Sequence, residues 1–167
     1  MECRKDVQSE ADILERARSL CSEGCFAVAL QHRRLRSKEP EDEVFILRWW
    51  TDLQFLIVSL RRLRRSALTA AHVRGASDEV TAAVRQFDQA LPALRKMRNV
   101  GEHVDSYAVD AASRHEKSVS RLQLQVGSWD GTVYSWLGGS LNVDVALNAA
   151  EKLLEAIWSC IERSKTK

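Results

Sequence analysis

Much of the usual signposting for metal, disulfide or membrane chemistry is missing from this chain of 167 residues. Its four cysteines, Cys3, Cys21, Cys25 and Cys160, follow neither zinc-site nor disulfide spacing. Cys21 and Cys25 stand i, i+4 on a helix, where small buried thiols are ordinary. There is no His-x-x-x-His, no carboxylate cluster and no Cys pair, so no metal and no cofactor is expected. The most apolar run, Val44 to Leu60, is interrupted by Arg48, Asp52 and Gln54, which excludes a membrane span. The polar start, with Glu2, Arg4, Lys5 and Asp6, argues against a signal peptide and for a cytoplasmic protein with reduced thiols. A net charge of +2 is not that of a polycation. No internal repeat or low-complexity tract divides the chain, so residues 1–167 read as a single domain able to bury a real core.

What is present is helical periodicity. Residues 6–36 form a first helical region, with Ile13, Leu14, Ala17, Leu20 and Cys21 on one face and Gly24 expected to break or bend it. Pro40 marks a linker, and Glu41, Asp42 and Glu43 supply the acidic first turn of a second helix over about 42–73. Ile46, Trp49, Trp50, Leu53, Leu56, Ile57, Leu60 and Leu63 form its stripe, and Phe45, Leu47, Phe55 and Val58 widen it. Trp49 and Trp50 lie on that stripe and read as core rather than as a stacking platform for bases. Gly75 suits a left-handed helix end and Ser77 or Asp78 the next N-cap. A third helix runs from about Asp78 to about Ser113, kinked at Pro92. Its apolar positions are Val80, Ala83, Val84, Phe87, Ala90, Leu91, Leu94, Met97, Gly101, Val104 and Ala108.

After Arg121 the period changes to two. Leu122, Leu124 and Val126 alternate with polar residues, Gly127–Gly131 reads as a turn, and Thr132–Leu137 and Ser140–Val143 as further strands. A last helix, capped by Asn142 or Asp144, runs to about Arg163. The expected fold is therefore mainly α: a bundle of four to five helices with a small antiparallel β-meander, at about 121–143, before the last helix.

One stretch stands apart, Arg98-Asn99-Val100-Gly101-Glu102-His103. At 100° per residue Gly101 marks the middle of the buried stripe. Asn99 and His103 fall nearly opposite it and Arg98 on the flank. An arginine followed by a polar residue, three variable residues and a histidine resembles the signature of the HEPN superfamily, here Arg98, Asn99 and His103. HEPN proteins are small helical bundles, many of them metal-independent ribonucleases of toxin–antitoxin, phage-defence and RNA-processing systems. The resemblance implies an endoribonuclease that acts on RNA as a homodimer, with paired motifs lining a cleft, and a cognate antitoxin or regulatory protein as a further partner. The alternatives are a HEPN-like dimerisation or RNA-binding module that does not cut, and an unrelated helical interaction protein.

The residue types suit that chemistry. Histidine titrates near neutrality and can take and return the 2′-OH proton. Arginine's fork stabilises phosphoryl oxygens, and Asn99 can orient His103 or hold a phosphate oxygen. Arg98 has a competing use, an i, i+4 ion pair with Glu102. Arg98 and His103 are also about 140° apart on an ideal helix, so either distortion at Gly101 or a two-fold dimer must bring them together. The dimer contact is expected on the outward face around Asn99, His103 and Ser106. Basic residues gather at Arg33, Arg34, Arg36 and Lys38, at Arg61, Arg62, Arg64 and Arg65, and at Arg95 and Lys96. The last two groups are the candidate RNA-backbone contacts, with solvated helix ends as the other reading. His32 and His72 sit near helix ends and His115 in a charged linker.

Overall fold

Ser9 opens the first helix by reciprocal capping: its Oγ accepts from the Asp12 amide, and the Asp12 carboxylate accepts from the Ser9 amide. The structure, a computed structural model, describes residues 9–109, 112 and 116–165. Cys3, Arg114 and His115, and the expected helical residues 6–8, lie outside the described residues. Helix α1, Glu10–Arg36, runs without interruption through Gly24. The expected break is absent because Gly24 is used for close packing. A Cβ there would meet Leu63 Cα at 3.1 Å, so the missing side chain lets the second helix approach.

That second helix, α2, spans Arg48–Ala70 and is shorter than the expected 42–73. Pro40–Glu43 form a 3₁₀ turn, and Val44–Leu47 lie outside the helix. The Arg48 guanidinium explains the late start. It donates to the Asp42 carboxylate and to the carbonyls of Arg34 and Ser37, drawing the linker back across the end of α1. Leu53, Leu56, Ile57, Leu60 and Leu63 are buried as their spacing requires, while Ile46 is 74 % exposed and Phe55 and Val58 face outward.

The expected kinked helix is three helices: α3 (Ser77–Ala90), α4 (Leu94–Glu102) and α5 (Val104–Ala108). Pro92 separates rather than kinks, since the α3 ladder ends with the Leu91 amide on Phe87 and the chain turns through Pro92 and Ala93. Gly75 has φ +85° as expected, but the N-cap of α3 is Ala76, with no side-chain cap. The stripe holds through Met97, apart from Ala90, which is exposed at the end of α3, and then shifts. Val100 and Tyr107 are buried, whereas Val104 and Ala108 are exposed, because the backbone turns at His103.

A three-stranded antiparallel meander follows, β1 (Ser128–Trp129), β2 (Val133–Trp136) and β3 (Gly139–Asn142), in that spatial order. Leu122 and Leu124 do not form the expected strand. Arg121–Leu124 is a 3₁₀ turn secured by reciprocal Ser120–Gln123 capping, and β1 begins where a turn was expected. Leu137 and Gly138, both at positive φ, make the two-residue turn from β2 to β3. Asn142 Oδ1 then accepts from the amides of Asp144 and Val145 at 2.9 and 3.1 Å and starts α6, Val143–Lys165. The fold is mainly helical with a small meander before the last helix. α1 packs along α2 and α6, α3 against α6, and α4 on α2. Tyr134, Trp136 and Leu141 close the core under Trp49 and Trp50, with Trp49 edge-on to Tyr134 at 6.4 Å. Among the described residues no helix is long and apolar enough to cross a membrane.

Candidate functional site

Two helices present arginines at the same spacing. On α2, Arg61, Arg64 and Arg65 stand at i, i+3 and i+4, and on α4 Arg95, Arg98 and Asn99 do likewise, so each trio shares one helical face. The two faces meet and line one hollow of about 390 Å³. Beside this hollow Gly101 lies on the α4 face turned toward α2 and β2. A Cβ there would come within 3.0 Å of Gln54 Oε1 on α2 and 3.8 Å of the Trp136 ring on β2. All six lining residues were candidates on sequence grounds. Their convergence, and the place of Gly101 against α2, were not.

Charge compensation divides the five guanidinium groups. Arg64 is held by Asp88 of α3 through two bonds of 2.6 Å. Arg98 pairs with Glu102 one turn along α4, and its Nη1 donates to Asn99 Oδ1 at 3.3 Å. Among the described residues, Arg61, Arg65 and Arg95 form no ion pair with a carboxylate. Arg61 is the least settled. Its Nε is buried without a hydrogen-bond partner. Burial, and then the neighbouring Arg64, Arg65 and Arg98 charges, push its pKa below the usual arginine range, with Asp88 opposing. A hollow that gathers cations and leaves a donor unsatisfied is arranged for an anion.

The other candidates go elsewhere. Arg62 turns toward α1 and lies 3.8 Å from the Glu23 carboxylate. The Lys96 ammonium donates to the Leu137 carbonyl at 2.7 Å and fastens the β2–β3 turn. His103 is exposed at the junction of α4 and α5, where the backbone leaves helical geometry, and it is not part of the hollow's lining. The helix therefore distorts at His103 itself and stays regular through Gly101. Ser106 is half-buried on α5.

Outside the hollow, His32 Nε2 lies 2.7 Å from Asp144 Oδ1, joining the last turns of α1 to the start of α6. Cys21, Cys25 and Cys160 are buried free thiols, and burial pushes Cys21 up to about 12 and Cys160 up to about 11. Neither is a nucleophile at neutral pH. Among the described residues no three His, Cys, Asp or Glu side chains gather as a metal-binding group. No family model, curated protein or solved structure matches the chain.

Proposed function

We propose that this chain is a metal-independent endoribonuclease of HEPN type that holds RNA at the arginine hollow. The observation that carries the reading is the meeting of Arg95, Arg98 and Asn99 of α4 with Arg61 and Arg65 of α2 at one site, where Arg61, Arg65 and Arg95 have no carboxylate partner among the described residues. His103 takes the proton from a ribose 2′-OH, whose oxygen attacks the adjacent phosphorus. The P–O5′ bond breaks, and the departing oxygen receives the proton, leaving a 2′,3′-cyclic phosphate and a 5′-OH. Arg98 stabilises the charge on the phosphoryl oxygens and Asn99 positions it.

Because His103 stands outside the hollow of its own chain, the reading requires a homodimer. Apart from the contact expected around Asn99, His103 and Ser106, an exposed apolar face lies on α1, α2 and the loop between them: Phe26, Leu30, Val44, Phe45, Ile46, Leu47, Phe55 and Val58. A surface of this kind, on the order of 900 Å², matches what each partner gives to a standard interface. A role as a toxin or defence effector, with an antitoxin or regulator as partner, goes with the resemblance.

The test is purified protein incubated with total RNA in EDTA, beside His103→Ala. Cleavage by the native chain and its loss in the variant are expected. Full cleavage by His103→Ala, or activity abolished by EDTA, overturns the reading. A second reading, a module that binds RNA without cutting it, is favoured by one observation: Arg98 is already engaged by both Glu102 and Asn99. It predicts RNA binding with no cleavage under any of these conditions.

A further inference from the structure

Resting on the reading of this hollow as the place where RNA is held, we propose that its free arginines seat one terminal phosphate, a phosphomonoester, rather than a run of backbone diesters, while Arg98 and Asn99 at its α4 edge keep their part at the scissile diester. Geometry supports this first. A track for a backbone needs cations that continue along the strand. Here the free guanidinium groups come from about one turn of each helix, roughly 6 Å along either axis. The residues that would prolong a track are committed elsewhere: Arg62 toward Glu23, and Lys96 to the Leu137 carbonyl.

The charge balance supports it second. Asp88 and Glu102 neutralise Arg64 and Arg98, which leaves Arg61, Arg65 and Arg95 lining the hollow without a carboxylate. A diester brings one negative charge and two non-bridging oxygens. A monoester brings about −1.5 to −2 near neutral pH and three terminal oxygens, one for each free guanidinium. Arg61 itself lines the hollow, and its buried Nε has no acceptor within the fold. Burial and like charge already disfavour the Arg61 cation. A dianion relieves that repulsion more fully than a single diester charge does.

The experiment uses the full chain and three non-cleavable 2′-O-methyl decamers of one sequence, ending in a 5′-phosphate, a 3′-phosphate or hydroxyls only. Affinities are read by fluorescence anisotropy at fixed ionic strength, with inorganic phosphate as competitor. At least one phosphate-ended decamer should bind about tenfold tighter than the hydroxyl-ended one, the scale of one added charge-assisted contact. The preferred end identifies which terminus is read. Arg61→Gln should erase the preference while changing hydroxyl-ended binding far less. Arg95→Gln, at an exposed position, should shrink it in the same direction, so that a folding defect in the first variant does not decide the matter. If inorganic phosphate protects the chain thermally in an Arg61-dependent way while no decamer binds, the seat stands with free phosphate as its source, and the RNA reading falls. Equal affinity for all three decamers overturns the seat and leaves RNA binding in place. Absence of binding by every probe overturns both.

Discussion

The two ends of α2 carry arginines of opposite fate. At its start Arg48 is saturated. Its Nε and Nη2 reach the Asp42 carboxylate, Nη2 also the Ser37 carbonyl, and Nη1 the Arg34 carbonyl and Asp52. Arg34 closes the network through Asp52 at 2.8 Å, and Asp52 is only 2 % exposed. Roughly four turns further on, Arg61 has a buried donor with no acceptor, and Arg65 and Arg95 line the same hollow without carboxylates. In the sequence Arg34 belongs to a basic cluster like that of Arg61 to Arg65, whereas Arg48 stands alone in an apolar run. The difference is that the first group is neutralised within the fold, whereas Arg61, Arg65 and Arg95 have no carboxylate partner among the described residues.

Substitution at each end should separate the two most widely in stability. Asp52→Ala strands Arg48 and Arg34 near a buried position and is expected to cost about 3 kcal/mol, the lower part of the range for breaking a buried ion pair, because Arg48 keeps Asp42. Arg61→Met removes a like charge and an unsatisfied donor while keeping the aliphatic stem. It should change stability by less than about 1 kcal/mol, in the stabilising direction if it changes at all. Urea denaturation of both variants measures the contrast. A loss at Arg61→Met as large as that at Asp52→Ala would mean that the hollow is scaffold too.

Acid should act on the neutralised side alone. Hydrogen bonds from Arg48 and from the Glu39 amide hold the Asp42 carboxyl below the usual carboxylate range, and Arg36 and then His32 do the same for Asp144. A depressed folded-state pKa means a contribution that is complete above the unfolded value, about 3.9, and is lost as pH falls through the lower folded value. Stability monitored by circular dichroism should therefore decline below about pH 4. In Asp144→Asn that decline should be shallower, since one of these carboxyls no longer titrates. A slope unchanged by Asp144→Asn would remove the Arg36–Asp144 contact from the scaffold.

How much of this was legible depended on how local the cause was. The stripes from Leu53 to Leu63 and from Val80 to Met97 are set by neighbours three and four apart, and they pack as read except at Ala90, which is exposed where α3 ends before Pro92. Val44–Leu47 look like more of the same stripe, but Arg48 ties that linker to the far end of α1, and hydropathy carries no sign of it. Gly24 has the same explanation: its use is a contact with Leu63, which lies on another helix. Leu122 and Leu124 alternate as a strand does, yet Ser120 and Gln123 close a 3₁₀ turn over them. For the site, the residue types and their spacing were readable. Which arginines remain uncompensated was not, because Asp88 lies 24 residues from Arg64 and comes from a different helix.

The smallest change sharpens the comparison most directly. Glu102 neutralises Arg98 at the edge of the hollow through an i, i+4 pair on a part-exposed helix face. Such pairs contribute about 0.2–0.5 kcal/mol, so Glu102→Ala should leave the melting temperature nearly unchanged. Its electrostatic effect should be larger than its structural one, since a fourth guanidinium joins Arg61, Arg65 and Arg95 without a carboxylate. Binding of single-stranded RNA should then steepen with salt by about 0.7 unit of log–log slope, the value of one added phosphate contact on a single strand. The same substitution at the other end, Asp42→Ala, also frees an arginine, but Arg48 still holds Asp52 and two carbonyls and has no hollow to enter. It should cost stability and leave the salt slope unchanged. Parallel titrations of the two variants over 50–200 mM salt test the contrast. Equal slopes would place Arg98 with the scaffold arginines, and a steeper slope for Glu102→Ala alone places it with those that await an anion.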